Sequence, residues 1–541
     1  ALRKSTPKHY TPKHYTYAFL LATTCLSLSQ IGQAQPLDLS HVDVSSNLQP
    51  NVLFMVDDSI SIDWEIMVSG QWNLGSYLSD LPGAVLAGDG LYVSSDISAR
   101  CSNGFTFAYM WDNRDNAWSS RCRDGKIFKN QDVLKSDWRI LSNDFNKIYY
   151  NPQIQYQPWP GYPNANFSRA RSHADSTQIG YQITRNLGTS DFQFAVWQDS
   201  AGFTGNQPTA TNANATPNGI VDLWDNYDLY SVSSNSILIN SYRFKPENTG
   251  ACNGTNNVTA DDYVQCFKGQ QAVTSWASPF GRDIKAEQQN IANWYQYHRR
   301  RSFALRNVVA QLIELFPNFR YGLDFTNNYN DQFVAIPRDG LNLGAHNTHL
   351  LTTLFGYLQK SASTPMATAL DRAGQYFQGK PAGTRSPIVQ SCQANYALML
   401  TDGFWNDQQT YRGQARGDRD GDNIRGPYGN TTLADIATYY FERDLAPNLI
   451  NDFALARSKC PAQTPPNYQH MSTIGVTFGP FGNLQADDQN CWPEPALKSN
   501  DSWGNPLSNP NTGNPKDLLA RIDDLWHAAY NSNGFFTSSA D

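Results

Sequence analysis

The chain has 541 residues, 41 of them Lys or Arg and 48 Asp or Glu, with 8 cysteines, 37 glycines and 29 prolines. That length holds three or four ordinary domains, or one domain with a large insertion; 40% hydrophobic and 13% aromatic residues exclude a wholly disordered chain. Only 16% of residues are charged, and Asn, Ser, Thr and Tyr supply the polar surface, a balance that suits an extracellular protein and argues against a nucleic-acid binder.

Residues 1–34 carry Arg3, Lys4, Lys8 and Lys13 and no acid; without them 37 basic residues face 48 acidic ones, a net charge of −11. The repeated TPKHY, the apolar run YAFLLATTCLSL (17–28) and the small-x-small Gly32-Gln33-Ala34 read as a secretory signal peptide. At about 12 residues the run is short for a bilayer span. A buried core helix is the plainer alternative. The expectation is an exported, not membrane-embedded, protein that begins near Gln35. Export would leave Cys101, Cys122, Cys252, Cys266, Cys392, Cys460 and Cys491, with no CxxC among them. Cys101–Cys122 and Cys252–Cys266 are plausible local disulfides, and one of Cys392, Cys460 and Cys491 is left over.

After a polar lead-in, NVLFMV (51–56) is a continuous apolar run of the kind a parallel strand buried on both faces requires. Residues 65–284 differ in character, being rich in Trp, Tyr, Asn, Gly and Pro, with short alternating pieces such as FQFAVWQ and SILINSYRF. They read as an irregular, strand-containing insertion. Over 285–530 helical and strand patterns alternate. The spacing of Leu305, Val308, Val309, Leu312, Ile313 and Phe316 predicts an amphipathic helix, and FRYGLDF (319–325) a strand. Thr364-Pro365 predicts a helix start with Thr364 as N-cap. ANYALMLTDG (394–403) predicts a second buried strand, 431–445 a helix, STIGVTF (472–478) a strand, and Asn514-Pro515 a last helix. Together with 51–56 these elements imply an α/β fold, a Rossmann-like parallel sheet flanked by helices. Residues 35–64 would carry its first strand and site loop, and 531–541 a tail.

NVLFMV runs directly into Asp57-Asp58-Ser59-Ile60-Ser61. This D-x-S-x-S sits at the carboxyl end of a buried strand, where open α/β sheets place their ligands. A carboxylate and two hydroxyls on alternate positions of one loop are hard oxygen donors, fit for Mg²⁺ or Ca²⁺ and not for zinc. Thr364 and Asp402, on two other loops, offer further oxygens. A capped turn, with Asp57 and Ser59 satisfying amides, is the simpler alternative. The five residues together resemble the metal-ion-dependent adhesion site (MIDAS) of von Willebrand factor A domains. That resemblance implies a von Willebrand A-like fold and Asp57, Ser59, Ser61, Thr364 and Asp402 as ligands. It also implies one coordination position open to a partner's carboxylate. The departure is the 65–284 insertion between the motif and the next helix.

Longer motifs occur in order along the chain: PNVLFMVDDSIS, NDFNKIYYNPQIQYQPWPGY, ANWYQYHRRR, STPMATALDRAGQYF, NYALMLTDGFWN, TTLADIATYYFERDL and RIDDLWHAAYNSNGFFTSSAD. They resemble type IV pilus tip-associated adhesins of the PilY type, which have a von Willebrand A-like half followed by a calcium-binding β-propeller. The chain reaches Asp541, just past the segment after which that propeller follows. The resemblance implies cell adhesion and pilus biogenesis, with influence on pilus extension and retraction. It places the protein at the cell surface on the fimbrium tip, transiently periplasmic or outer-membrane associated, with minor pilins and a host-cell or abiotic surface ligand as partners. A secreted surface or glycan-binding module of the same fold, unrelated to pili, is the rival reading.

Asp418, Asp420 and Asp422 form a D-x-D-x-D run like the start of a calcium loop, but its twelfth position is Gly429, so an EF-hand is not supported and a solvated acidic loop is the plainer reading. Arg416-Gly417-Asp418 matches an integrin-type tripeptide. His346 and His349 lie in AHNTHL, read as a loop with solvent-facing histidines. HExxH, GxSxG and GxxxxGK[ST] do not occur, and no enzymatic activity is expected.

Overall fold

The computed structural model describes residues 49–65 apart from 60 and 64, 141–174 apart from 145, the strand segments between 184 and 273, and most of 280–453, 466–478 and 503–538. The expected leader and cleavage point lie outside the described residues, as do Cys101, Cys122, Cys252, Cys460, Cys491 and the side chain of Cys266, and with them both expected bridges. Cys392 is exposed and forms no disulfide.

The strands are β1 (Asn51–Val56), β2 (Ala170–Arg171), β3 (Thr184–Arg185), β4 (Phe192–Gln198), β5 (Gly202–Phe203), β6 (Ala213–Asn214), β7 (Asn226–Val232), β8 (Ile237–Phe244), β9 (Gln265–Val273), β10 (Arg320–Phe325), β11 (Asn395–Thr401), β12 (Ser472–Thr477) and β13 (Phe536–Ser538). The helices are α1 (Ile284–Tyr297), α2 (Arg301–Leu315), α3 (Leu343–Gly356), α4 (Met366–Phe377), α5 (Leu433–Phe441) and α6 (Pro515–Asn531). Five strands form one sheet in the order β10-β1-β11-β12-β13, and every neighbouring pair is parallel.

Every residue of β1 is buried because helices cover both faces of this sheet. Alternate side chains serve opposite cores. Val52, Phe54 and Val56 pack with Leu305, Val309 and Leu312 of α2 and Leu350 and Leu354 of α3. Leu53 and Met55 face the other way, onto Met366 and Leu370 of α4, Ile436 of α5 and Leu525 of α6. Each such side chain contributes roughly 1.5–3 kcal/mol on burial, which is why the strand reads as an unbroken apolar run.

The chain leaves β1 for the insertion, returns through α1 and α2 to β10 on one flank of β1, then crosses to β11 on the other. The connections therefore diverge between β1 and β11. In a parallel sheet that divergence opens a crevice at the carboxyl ends of the two strands.

Within 65–284, the alternating pieces expected as strands are β4 and β8, in an antiparallel sheet of order β4-β7-β8-β9. Two short antiparallel pairs, β2-β3 and β5-β6, accompany it. An aromatic core joins this sheet to the α/β part, with Tyr149, Tyr150, Trp159, Phe192, Phe194 and Trp294 at its centre and Phe303 and Phe355 reaching in from α2 and α3. Trp159 stacks on Phe355 with centroids 4.8 Å apart.

Several expectations need correction. Pro365, with φ −83° and ψ 65°, and not Thr364 occupies the N-cap of α4, and no side chain caps it. The helix expected over 431–445 is the shorter α5, started by a Thr432–Asp435 capping box. The AHNTHL segment is helical and opens α3, where His346 is half-buried and meets the Tyr321 carbonyl at 2.7 Å. His349 is exposed, as expected. The 531–541 tail is not outside the fold, for it supplies β13.

Candidate functional site

Asp57 follows the last residue of β1, and its amide completes the ladder by donating to the Leu400 carbonyl at 2.8 Å. Its carboxylate is fully buried. Oδ1 accepts the Ser59 amide at 2.8 Å, and Oδ2 accepts the Thr401 hydroxyl at 2.8 Å. The capped turn foreseen as the simpler alternative is therefore present. Capping does not account for the second carboxylate, that of Asp402, which follows β11 and is 1% exposed. Burial, and then the charge of Asp402, push the Asp57 carboxyl up to about 7. Two acids thus oppose each other where the strand connections diverge.

The third loop is tied to the second. The Thr364 amide donates to Asn406 Oδ1 at 2.8 Å, and the Asn406 amide returns a bond to the Thr364 carbonyl at 3.1 Å. Thr364 is buried. Ser61 opens a 3-10 turn, Ser61–Asp63. The structure thus brings Asp57, Ser59 and Asp402 together and anchors Thr364 beside the Asp402 loop. The neighbouring Asp58 serves a different purpose. Its Oδ1 accepts Thr326 Oγ1 at 2.8 Å and Asn327 Nδ2 at 2.6 Å, and its Oδ2 accepts the Tyr357 hydroxyl, which fixes the loop after β10.

The sequence reading missed Arg301. Its guanidinium is buried and donates to Asp402 Oδ2 at 3.2 Å, while its charge also reaches Asp57. Its two predecessors are also buried and paired: Arg299 with Glu65 at 2.9 Å and Arg300 with Asp63 at 3.2 Å. Three consecutive arginines in a chain only 16% charged were the available signal.

The donors present fit a hard cation. Two buried carboxylates lie close enough to repel each other, one guanidinium charge is near them, and the Ser59 and Thr401 hydroxyls meet Asp57, all oxygen donors of the kind such an ion takes; the side chain of Ser61 lies outside the described residues.

Around the second acidic run the outcome is mixed. Asp422 is buried and Asp418 and Asp420 are half-buried, so the loop is not simply a solvated one. Asp435 and His527 approach it from α5 and α6. The integrin-type reading of Arg416, Gly417 and Asp418 is corrected. Arg416 is 7% exposed, pairs with Asp371 through Nε at 2.8 Å, donates to the Tyr440 hydroxyl at 2.7 Å and lies over the Tyr439 ring, so its guanidinium is not presented to a receptor.

The five-stranded parallel sheet flanked by helices makes this a mixed α/β protein, with a buried carboxylate pair at the sheet's divergence point. The chain is a distant relative of proteins named type IV pilus biogenesis factor PilY1 in Pseudomonas aeruginosa. It is 26% identical over 434 residues to that of strain UCBPP-PA14 and 28% identical over 443 residues to that of strain PAO1, in each case covering 74% of this chain and 34% of the relative. The PilY1 of strain PAK is 27% identical over 291 residues, covering 47% of this chain and 24% of the relative. The chain thus spans about a third or less of the length of the curated relatives it matches. No family profile matches the chain, and no solved structure does. Among the described residues, no helix is long and apolar enough to cross a membrane.

Proposed function

We propose that the chain is an exported type IV pilus biogenesis factor with a von Willebrand A-like fold, which binds a surface ligand at the pilus tip. In this reading Mg²⁺ or Ca²⁺ is held by Asp57, Ser59, Ser61, Thr364 and Asp402. The observation that carries it is the opposition of buried Asp57 and Asp402 at the sheet's divergence point. What supports the pilus setting is the name and likeness of the PilY1 relatives. A bound ion of this class would offer an open coordination position to an acidic group on the partner. Thr401 and the Ser59 amide hold the Asp57 carboxylate in place, and Asn406 holds the Thr364 loop. Arg301 offsets part of the local negative charge when the ion is absent. Minor pilins and a host-cell or abiotic surface are the partners this role requires, and binding, not catalysis, is the activity.

Asp57→Ala removes a ligand and, with it, the repulsion from Asp402. The expected outcome is lost attachment of piliated cells with little change in folding stability, read by adhesion counts beside thermal unfolding of the purified chain. Sheared pili should carry the chain with minor pilins by mass spectrometry. Undiminished attachment and divalent-ion binding in Asp57→Ala would reduce the loop to a capped turn, and absence from sheared pili would remove the pilus role.

A further inference from the structure

Five acidic or imidazole side chains from three separate stretches meet beside α6, away from Asp57. Asp418, Asp420 and Asp422 come from the loop 416–424, Asp435 from the first turn of α5 and His527 from α6. They form two groups that share Asp420, and within each group the ligand atoms lie within 4.8 Å of one another.

One group is already engaged. Asp435 Oδ2 accepts the Thr432 amide and hydroxyl, at 2.8 and 2.9 Å, and its Oδ1 accepts the Arg419 amide. Asp418 accepts the Gly421 amide on Oδ1 and the Asn423 amide on Oδ2, at 2.8 and 3.1 Å. These two acids have ordinary structural employment.

The other group differs. Asp422 is 6% exposed and uses Oδ1 for the Ile424 amide at 2.8 Å, but among the described residues its buried Oδ2 has no hydrogen-bond partner. His527 is also 6% exposed, and its buried Nδ1 has none either. These two atoms face each other across 3.9 Å, and His527 Nε2 stands 3.6 Å from Asp420 Oδ2. Those separations are too long for hydrogen bonds. A buried polar atom left unpaired costs about 1–3 kcal/mol, and here two of them lie 3.9 Å apart within one cluster of potential ligands. Neighbouring side chains hold the cluster in place. Trp503 stacks on the imidazole at 4.3 Å with an interplanar angle of 7°, and Asn531 Nδ2 fixes Asp420 Oδ2 at 3.0 Å. Burial keeps the imidazole neutral, with a lone pair available to a ligand.

We propose that Asp420, Asp422 and His527 bind a divalent first-row transition ion, of the Mn²⁺ or Zn²⁺ class, which fastens α6 to the loop 416–424. An imidazole beside two carboxylates mixes borderline and hard donors, a set that suits these ions better than Ca²⁺, which takes oxygen alone. The ion would bridge the loop and the helix that leads into β13. The site shares no residue with the Asp57 cluster and does not rest on it.

The test uses the whole chain in an Asp57→Ala background, so that the other cation site cannot contribute. Chelator-stripped protein is titrated with Mn²⁺ and followed by electron paramagnetic resonance, including the nitrogen modulation that a bound imidazole imposes. The expected result is one bound Mn²⁺ per chain with nitrogen coupling. His527→Gln and Asp422→Asn should each abolish that coupling and weaken binding at least about tenfold, while Asp418→Asn should bind nearly as the parent does. Circular dichroism confirms that each variant is folded, and either His527→Gln or Asp422→Asn suffices alone. Folded parent chain that binds no Mn²⁺ would overturn the proposal. So would Mn²⁺ binding indifferent to both substitutions, or Ca²⁺ binding that depends on Asp418 and not on His527.

Discussion

Replacing Arg301 with Met takes away the guanidinium that faces both Asp402 and Asp57 and leaves two buried acids to repel each other. Loss of one partner from a buried ion pair costs about 3–5 kcal/mol. We expect Arg301→Met to lose that much in urea unfolding under chelating conditions, and clearly less with Mg²⁺ present. An equal loss in both conditions would mean that no cation shares the charge of Asp57 and Asp402. Two histidines contribute to the acid limb of stability. Burial holds His298 and His470 down to about 4, below the ordinary value of 6.5, and His470 is further enclosed edge-on by Phe441 and Phe453. The neutral ring is preferred in the fold, so the unfolded chain binds more protons and stability falls as pH drops from 6.5 toward 4. At about 1.4 kcal/mol per unit, each ring contributes up to about 3 kcal/mol to that loss. Unfolding free energies measured between pH 4 and 7 should flatten in His470→Gln and again in the double variant with His298→Gln; an unchanged slope would assign the acid sensitivity to other groups.

At the scale of elements, α1 holds a stretch of chain that has little regular structure of its own. Asn290 accepts the Tyr156 amide and donates to the Ile154 carbonyl, both at 2.7 Å. Asn293 accepts the Ala165 amide at 2.9 Å and donates to the Tyr156 carbonyl at 3.0 Å. Gln296 accepts the Arg171 amide at 3.0 Å. Asn293→Ala would strand two buried backbone groups, at about 1–3 kcal/mol each. Limited proteolysis should then cut within 151–165 much faster than in the parent, with the α/β sheet still protected. Where α4 crosses α5, a methyl on Gly374 would come within 2.3 Å of the Tyr440 ring, so Gly374→Ala should lower stability by about 1–3 kcal/mol. These contacts also explain which elements were legible in sequence. The strand β1 was, because burial on both faces writes an unbroken apolar run. So was α2, with its regular apolar spacing. The helix α1 was not, because its buried faces include Gln288, Asn290, Asn293 and Gln296, whose partners are backbone groups more than 50 residues away in sequence. The helix α3 was not, because Asn347 interrupts its buried stripe of Leu343, Leu350 and Leu354. In the site, Asp57 and Asp402 were legible from their place after apolar strands. Arg301 was not, since nothing local tells that a charge will be buried against an acid about 100 residues on.

For the whole molecule, the sheet order places β1 inside and β13 at an edge. Three residues of β13 cover the flank of β12, from Gly475↔Phe536 to Thr477↔Ser538. Removing 532–541 would bare a fully buried strand's hydrogen-bonding groups, and such edges recruit other chains. Size-exclusion chromatography of the truncated chain should show oligomers that the parent lacks; a monomer of unchanged stability would mean β13 is dispensable. The position of β1 has a further consequence, in time. Its two neighbours begin at Arg320 and Asn395, so Asn51 pairs with residues made roughly 270 and 340 positions later. At about 5–20 residues per second of synthesis, NVLFMV waits on the order of 15–50 s before its first partner strand exists. Throughout that wait an apolar, β-prone hexapeptide has none of the neighbours that will bury it. Sequence order alone thus leaves this strand, interior to the finished sheet, uncovered longer than its neighbours during synthesis.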